Sequence, residues 1–296
     1  MPPSVKPKFS QLKIHFFKGE HLPKLDTRLL REGKMDAYLK TEIGNKKLKT
    51  QIVETVKDEA YWNETMMVPL KLPVMSSGLK VRLLDYDTTG DEVAGCINFD
   101  YKQILAQPPG EVKIYWINVY GAPGGDKIAL AGRPPEYDEM NNNPEIATCW
   151  KGRVLVGVEH EETDSPKCQV VKITDSDLIE LAQDWMQPTP FQVMVMAGSV
   201  ICTPHPSTKY TLKVKVAEHE WQCKDAFVGV NFHRWNDKSS QMEWMMPYKE
   251  LSKVGWVFVY LMYGNEPISY AKFPAEEFMH ASPKLKWVEF TVDPVI

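Results

Sequence analysis

Apolar and polar residues alternate with a period of two through most of the first half of the chain. Residues 11–17 (QLKIHFF) predict a first strand, and 37–43, opened by Asp36, predict a second. Gly44-Asn45 reads as a hairpin turn that returns along 46–54. The stretches 65–70, 79–84 and 96–99 repeat the pattern. Such alternation sends side chains to opposite faces, so each strand has one face fit for burial. Short strands at regular spacing, with turn residues between them, predict an antiparallel sandwich.

Beyond residue 120 the pattern changes. Residues 121–149 are rich in Gly, Pro and Asn and read as a connector. A strand comes next at 153–158, then a helix over 174–187 that Thr174 or Asp175 can cap. Its apolar residues, Leu178, Ile179, Leu181, Ala182, Trp185 and Met186, fall at helical spacing and predict a face packed on a core. Further strands are expected at 191–202, 210–217, 226–232, 254–263 and 286–292. Helical turns at 247–252 and 274–279 each begin with Pro, which suits the first helical position. The expected architecture is mainly β: a sandwich over 1–123, a connector over 124–149, and a second, mostly β domain with a few short helices over 150–296.

The stretch 81–95, VRLLDYDTTGDEVAG, carries the most concentrated chemistry. Asp85, Asp87, Asp91 and Glu92 lie within eight residues, around a turn built on Thr88, Thr89 and Gly90. Carboxylates this close repel and resist ionising together. A calcium ion relieves that repulsion, since it takes six to eight oxygen ligands in irregular geometry. A solvated acidic turn is the other reading, because Asp and Gly are common in turns.

Composition removes several alternatives. The net charge of −4 argues against non-specific nucleic-acid binding, which needs a basic face. The five cysteines are scattered without a CxxC pair and fit reduced thiols in the cytosol. The first residues, MPPSVKPKFS, lack the apolar core of a secretory signal. The longest apolar run, 254–263, is about half of what a membrane-spanning helix requires, so a soluble chain is expected.

The segments LDTRLLREGKMDAY, YWNETMMVPL and LLDYDTTGDEVAG together resemble a C2 domain, the calcium- and phospholipid-binding β-sandwich. The resemblance implies that Asp26, Asp36, Asp85, Asp87 and Glu92, on two loops at one end, hold calcium, with Asp91 beside Glu92 as a substitute. It implies a core-strand role for Trp62-Asn63-Glu64. The first loop is longer than usual between Asp26 and Asp36, and the acidic loop slightly shorter. YWINVYGAP at 115–123 and PEYDEMNNNPEIATCWKGRVLVGVE at 135–159 resemble the stretch after an internal C2 domain in ferlins, large multi-C2 proteins of vesicle fusion and membrane repair. FQVMVMAGSVI, YTLKVKVAE and GWVFVYLMYGNEPISYAKFPAEEFM resemble their FerB region. This implies a calcium-regulated, phospholipid-binding piece of a ferlin-like protein acting in exocytosis and membrane trafficking. It would be cytoplasmic and peripheral to membranes, with a parent chain anchored by a C-terminal segment. Other domains of that parent are implied as partners. A calcium-independent protein-interaction scaffold with vestigial acidic loops is the alternative.

Lys40, Lys46, Lys47 and Lys49 cluster on the hairpin that forms a basic face in C2 domains. With Leu48 inward, Lys47 and Lys49 share the outward face and suit phosphoinositide headgroups or plain solvent. Leu29 and Leu30, flanked by Arg28 and Arg31, can enter a lipid interface or pack within their own loop. Cys202 with His205, and His219 with Cys223, have zinc-like spacing but read more cheaply as core thiols and surface histidines. No GxSxG, HExxH or phosphate-cradling loop is present, and a binding module rather than an enzyme is expected.

Overall fold

The computed structural model describes residues 8–24, 34–88, 90–124, 134–201, 209–223, 227–228, 232–278 and 287–292. The chain forms two units, Met1–Gln187 and Pro188–Ile296.

Among the described residues the first unit is built on ten strands: β1 (Lys8–Glu20), β2 (Asp36–Ile43), β3 (Lys46–Lys49), β4 (Val53–Glu54), β5 (Ala60–Leu72), β6 (Gly78–Asp85), β7 (Glu92–Asp100), β8 (Lys113–Gly121), β9 (Cys149–Glu162) and β10 (Gln169–Lys172). Their order is β10-β5-β1-β9-β8-β7-β6-β2-β3, with β4 on β2. All described pairings are antiparallel. Between β7 and β8 the ladder narrows to the single pair Cys96 and Tyr120, where the path turns from one layer into the other. Alternation then does what the sequence pattern requires. Leu12, Ile14 and Phe16 of β1, Met66 and Val68 of β5, and Val154, Val156 and Val158 of β9 share one core with Leu39, Val81, Leu83, Ile97 and Phe99 of the facing strands. Burying each such side chain is worth about 1.5–3 kcal/mol. Trp62, fully buried, donates its indole N–H to the carbonyl of Ala37 at 3.2 Å and ties the layers together.

Two expectations about the chain's organisation need correction. The strand at 153–158 is expected in the second domain, yet β9, which contains it, pairs with β1 on one side and β8 on the other. Without it β1 would present an unpaired edge over an open core. The segment 124–149 is also more than a connector. Pro135–Asn142 is a helix with Pro at its start, packed on β7 and β8. Asn141 Oδ1 accepts the Ala122 N–H at 2.7 Å, and Arg82 Nε donates to Asn142 Oδ1 at 2.6 Å. These polar ties are invisible to composition.

The helix expected over 174–187 forms at Ser176–Gln183 and continues as a 3-10 turn, Asp184–Met186. Asp175 caps it, accepting from the N–H groups of Asp177 and Leu178. Trp116 Nε1 donates to the Trp185 carbonyl at 2.7 Å, so the segment docks on β8. Its apolar stripe is only half-buried, with Ala182 covered and Leu181 exposed.

The second unit has β11 (Thr189–Val193), β12 (Met196–Ile201), β13 (Thr211–Val216), β14 (His219–Gln222), β15 (Phe227–Val228), β16 (Phe232–Lys238), β17 (Met242–Met246), β18 (Trp256–Tyr263) and β19 (Glu266–Pro274). They form the sheets β11-β17, β12-β16-β15 and β14-β13-β18-β19. Ala197, Tyr210, Cys223, Trp235 and Leu261 make a core. The span 191–202, expected as one strand, is divided because β11 and β12 pair with different partners. The expected strand at 286–292 is reduced, among the described residues, to one bridge between Tyr270 and Thr291. Helical turns stand at Leu251–Val254 and Ala275–Phe278.

Candidate functional site

The start of β2, the end of β6 and the start of β7 meet at one end of the sandwich. In register, Ala37 stands opposite Asp85, and Asp85 opposite Glu92. Asp36, Asp87 and Glu92 are half-buried, Asp91 is exposed, and Asp85 is buried at 5% exposure. Asp85 Oδ1 accepts the backbone N–H of Asp36 at 2.7 Å, and the Tyr86 N–H donates to the Asp36 carbonyl at 2.9 Å. The Tyr38 hydroxyl donates to Asp91 Oδ2 at 2.5 Å. Burial first, and then this carboxylate, raise the Tyr38 pKa well above that of an ordinary phenol. The Gly90 N–H closes the turn onto the Asp87 carbonyl at 3.2 Å.

Two exposed apolar residues flank this end, and the sequence reading missed both. Tyr86 follows β6, and Val56 tips the β4–β5 connection, 67% exposed. The signal for Val56 lay in Lys57 and Asp58, whose left-handed backbone turns the chain there. Asp26, Arg28, Leu29, Leu30 and Arg31 lie outside the described residues.

The donor chemistry of this end, all oxygen, matches a hard cation. The geometry matches only in part. Among the described residues no three of these carboxylates stand close enough to hold a metal ion. Asp85 and Asp91 are instead engaged by hydrogen bonds from the chain itself.

The basic residues gather on the outward face of the same layer. Lys40 stands opposite Lys49 on one side and Arg82 on the other. Lys47 and Lys49 are exposed, while Leu48 between them is buried. Lys46 stands opposite Ile43, beside the turn. Glu42 partly neutralises the patch, with its Oε1 4.0 Å from the Nζ atoms of both Lys40 and Lys47. Lys49 Nζ lies 5.9 Å above the Tyr38 ring. Lys80 and Arg82 of β6 add to this face and were missed, although their alternation with Leu79, Val81 and Leu83 was the available signal. Arg82 is held by Asn142, so the helix Pro135–Asn142 closes one side of the patch.

Of the residues with zinc-like spacing, Cys202 and His205 lie outside the described residues. Cys223 is buried, and its Sγ accepts the Leu212 N–H at 3.0 Å. His219 stacks on Trp244 and its Nε2 contacts the Met245 carbonyl at 3.0 Å. Both have structural partners, in keeping with the cheaper reading.

The C2 domain family model matches residues 10–119. Mouse myoferlin is 22% identical over 208 residues, covering 60% of this chain and 10% of that protein. Human myoferlin is 20% identical over 221 residues, with the same coverage. The chain thus spans about a tenth of the length of the curated relatives it matches. Among solved structures, the calcium-bound pair of C2 domains from Extended-Synaptotagmin 2 covers 90% of this chain and 84% of its own at 14% identity, with a TM-score of 0.38. Human GIVD cytosolic phospholipase A2 covers 90% of this chain and 29% of its own at 14% identity, with a TM-score of 0.34. The family match ends within β8, whereas the sandwich of the structure continues through β9.

Proposed function

We propose that this chain is a ferlin-like membrane-docking module. Its C2-type first unit binds anionic phospholipid under the control of calcium, in vesicle fusion and membrane trafficking. The observation that carries the reading is the pairing of two features on one layer. One end gathers Asp36, Asp85, Asp87, Asp91 and Glu92 between exposed Val56 and Tyr86, and the outward face carries Lys40, Lys47, Lys49, Lys80 and Arg82. The lysines and arginine supply long-range attraction to an anionic surface, each worth roughly 1 kcal/mol near it. Tyr86 and Val56 supply apolar area at the tip. Calcium is the cation that suits an oxygen-only donor set. The second unit is read as FerB-like. A calcium-independent scaffold is favoured by one observation, the engagement of Asp85 and Asp91 within the fold. Calorimetric titration with calcium, followed by sedimentation with phosphatidylserine vesicles in calcium or in chelator, separates the two. Heat of binding with calcium-dependent sedimentation supports docking under calcium control. Absence of both leaves the scaffold.

A further inference from the structure

The basic face of the first unit is bounded by a helix that lies beyond the C2 match. Lys49, Lys40 and Arg82 stand in one row across β3, β2 and β6, with Lys40 opposite each of the other two. Residues opposite one another share a face. Their sequence neighbours Leu39, Leu48 and Leu83 go to the core, so the row points outward. Adjacent strands lie about 4.8 Å apart, which makes the row about 10 Å wide. Among the described residues Lys49 and Arg82 have no carboxylate partner, and Glu42 approaches Lys40 only to 4.0 Å. Arg82 differs from the lysines in being held. Its Nε donates to Asn142 Oδ1 at 2.6 Å, and Asn142 Nδ2 donates to the Asp138 carbonyl at 2.8 Å, which fixes the amide. Asn142 ends the helix Pro135–Asn142, which buries Tyr137 and Met140 and is tied through Asn141 to Ala122. A packed element therefore grips the guanidinium at one nitrogen. Its two Nη groups have no protein partner among the described residues and stay open to solvent.

We infer that Asn142 and Arg82 form a phosphate clamp. Asn142 is a positioning residue that aims the free Nη pair of Arg82 at a phosphomonoester on a membrane inositol lipid, beside Lys40 and Lys49. The inference rests on the docking role proposed above and names the headgroup that this face selects. A guanidinium offers parallel N–H donors that match two oxygens of one phosphate, whereas an ammonium acts as a point charge. A phosphomonoester brings roughly 1.5 to 2 negative charges and three acceptor oxygens, more than the single charge of a phosphodiester. A guanidinium that is already held loses less freedom when it binds. Continuity with the docking end favours a lipid over an acidic peptide. Lys49 Nζ lies 5.9 Å from the centre of the Tyr38 ring, and the Tyr38 hydroxyl reaches Asp91 at the acidic turn.

The test measures binding of the full chain, in a calcium chelator, to phosphatidylcholine vesicles that carry either phosphatidylinositol bisphosphate or phosphatidylserine at equal total charge. The parent is expected to prefer the phosphoinositide vesicles about tenfold. R82K keeps the charge and removes the fork, and should lower the ratio of the two affinities about tenfold. N142D keeps the size but draws the guanidinium into an ion pair, and should lower the ratio as much. N142A merely frees the guanidinium and should lower it about threefold. Hydrogen exchange of 135–142 in the parent should slow more on phosphoinositide than on phosphatidylserine vesicles, a readout independent of any variant's stability. Soluble inositol trisphosphate should displace the chain at concentrations where inorganic phosphate does not, which separates the headgroup from free phosphate. The inference is overturned if the parent shows no preference at equal charge, if R82K and N142D leave the ratio unaltered, or if inorganic phosphate competes equally well. Displacement by a polyglutamate peptide as readily as by inositol trisphosphate overturns it in favour of an acidic protein partner. A parent that binds phosphatidylserine vesicles no better in calcium counts against calcium control alone, and one that binds no vesicle in either condition removes the docking role itself.

Discussion

The Tyr38 hydroxyl hydrogen-bonds to Asp91 Oδ2, and this one contact joins the buried start of β2 to the exposed acidic turn between β6 and β7. Y38F removes the donor while leaving the ring in place. Asp91 is exposed and regains water, so no buried acceptor is orphaned. The expected loss is about 1 kcal/mol of unfolding free energy in a urea titration. No change in midpoint would show that the bond contributes nothing.

Asp85 is the buried member of the acidic group, and its charge is used by the Asp36 N–H. D85N/D87N relieves like-charge repulsion but weakens a charge-assisted hydrogen bond, which is roughly twice as strong as a neutral one. Without metal the double variant should lose about 1 kcal/mol. Under the proposed function, calcium raises the melting temperature of the parent by mass action and leaves the variant unmoved. Equal stabilisation of both by calcium would remove these carboxylates from any metal site.

The triple variant K46A/K47A/K49A tests the basic face. Lys47 and Lys49 are exposed and outward, and Lys46 stands beside the turn. Binding to phosphoinositide vesicles should weaken by roughly fivefold for each lysine that contacts headgroups. Restricting the loss to Lys47 and Lys49 in single variants would fit the register, because Lys46 stands opposite core-packed Ile43.

Lys18, Glu20 and Arg153 form an ion network at the edge of the core. Glu20 accepts from Arg153 at 2.9 Å and from Lys18 at 2.8 Å, and Lys18 also reaches Glu59 at 2.9 Å. Burial opposes the charge on Glu20, but Lys18 and Arg153 prevail and lower its pKa below 4.5. A lowered folded pKa means stability present above the unfolded value and lost as pH falls through the folded one. His15 and Lys13 lower Glu159 likewise. Melting temperature should therefore fall steeply below about pH 4.5, and E20Q should flatten that fall. At neutral pH, E20Q should cost about 1.5–3 kcal/mol, because Lys18 and Arg153 each lose a charge-assisted hydrogen bond while Lys18 keeps Glu59. Lys18 gives the opposite limb. Burial lowers its pKa, but hydrogen bonds to Glu20, Tyr61 and Glu59 outweigh that and raise it above 10.5, so its contribution persists until strongly alkaline pH.

A chain ending at residue 123 lacks β9, and with it Val154, Val156 and Val158 of the core. It should fail to give a cooperative melt, whereas residues 8–187 should unfold in one transition. A cooperative melt from the shorter chain would mean that β1 and β8 can close the sheet without β9.

The sequence by itself determined the elements whose physics is local. Period-two alternation marked β2, β5 and β6, because each strand's own pattern says which face is buried. A cap at Thr174 or Asp175 was legible because a capping oxygen needs only the next turn's N–H groups, and Asp175 takes that place. Gly44-Asn45 was legible as a hairpin because φ of +56° at Gly44 is a single-residue property. The acidic stretch was legible as a cluster because its members are neighbours in the chain. Tertiary structure alone decided which strand completes the sandwich. The place of β9 depends on an open edge of β1 more than a hundred residues away, and nothing within 149–162 records it. The packing of Pro135–Asn142 buries Tyr137 and Met140 and depends on Asn141 and Asn142 meeting Ala122 and Arg82, a match of polar groups that helical spacing alone does not reveal. The pairing of Ile201 with Phe232 was hidden for the same reason, since only register brings their two distant strands together.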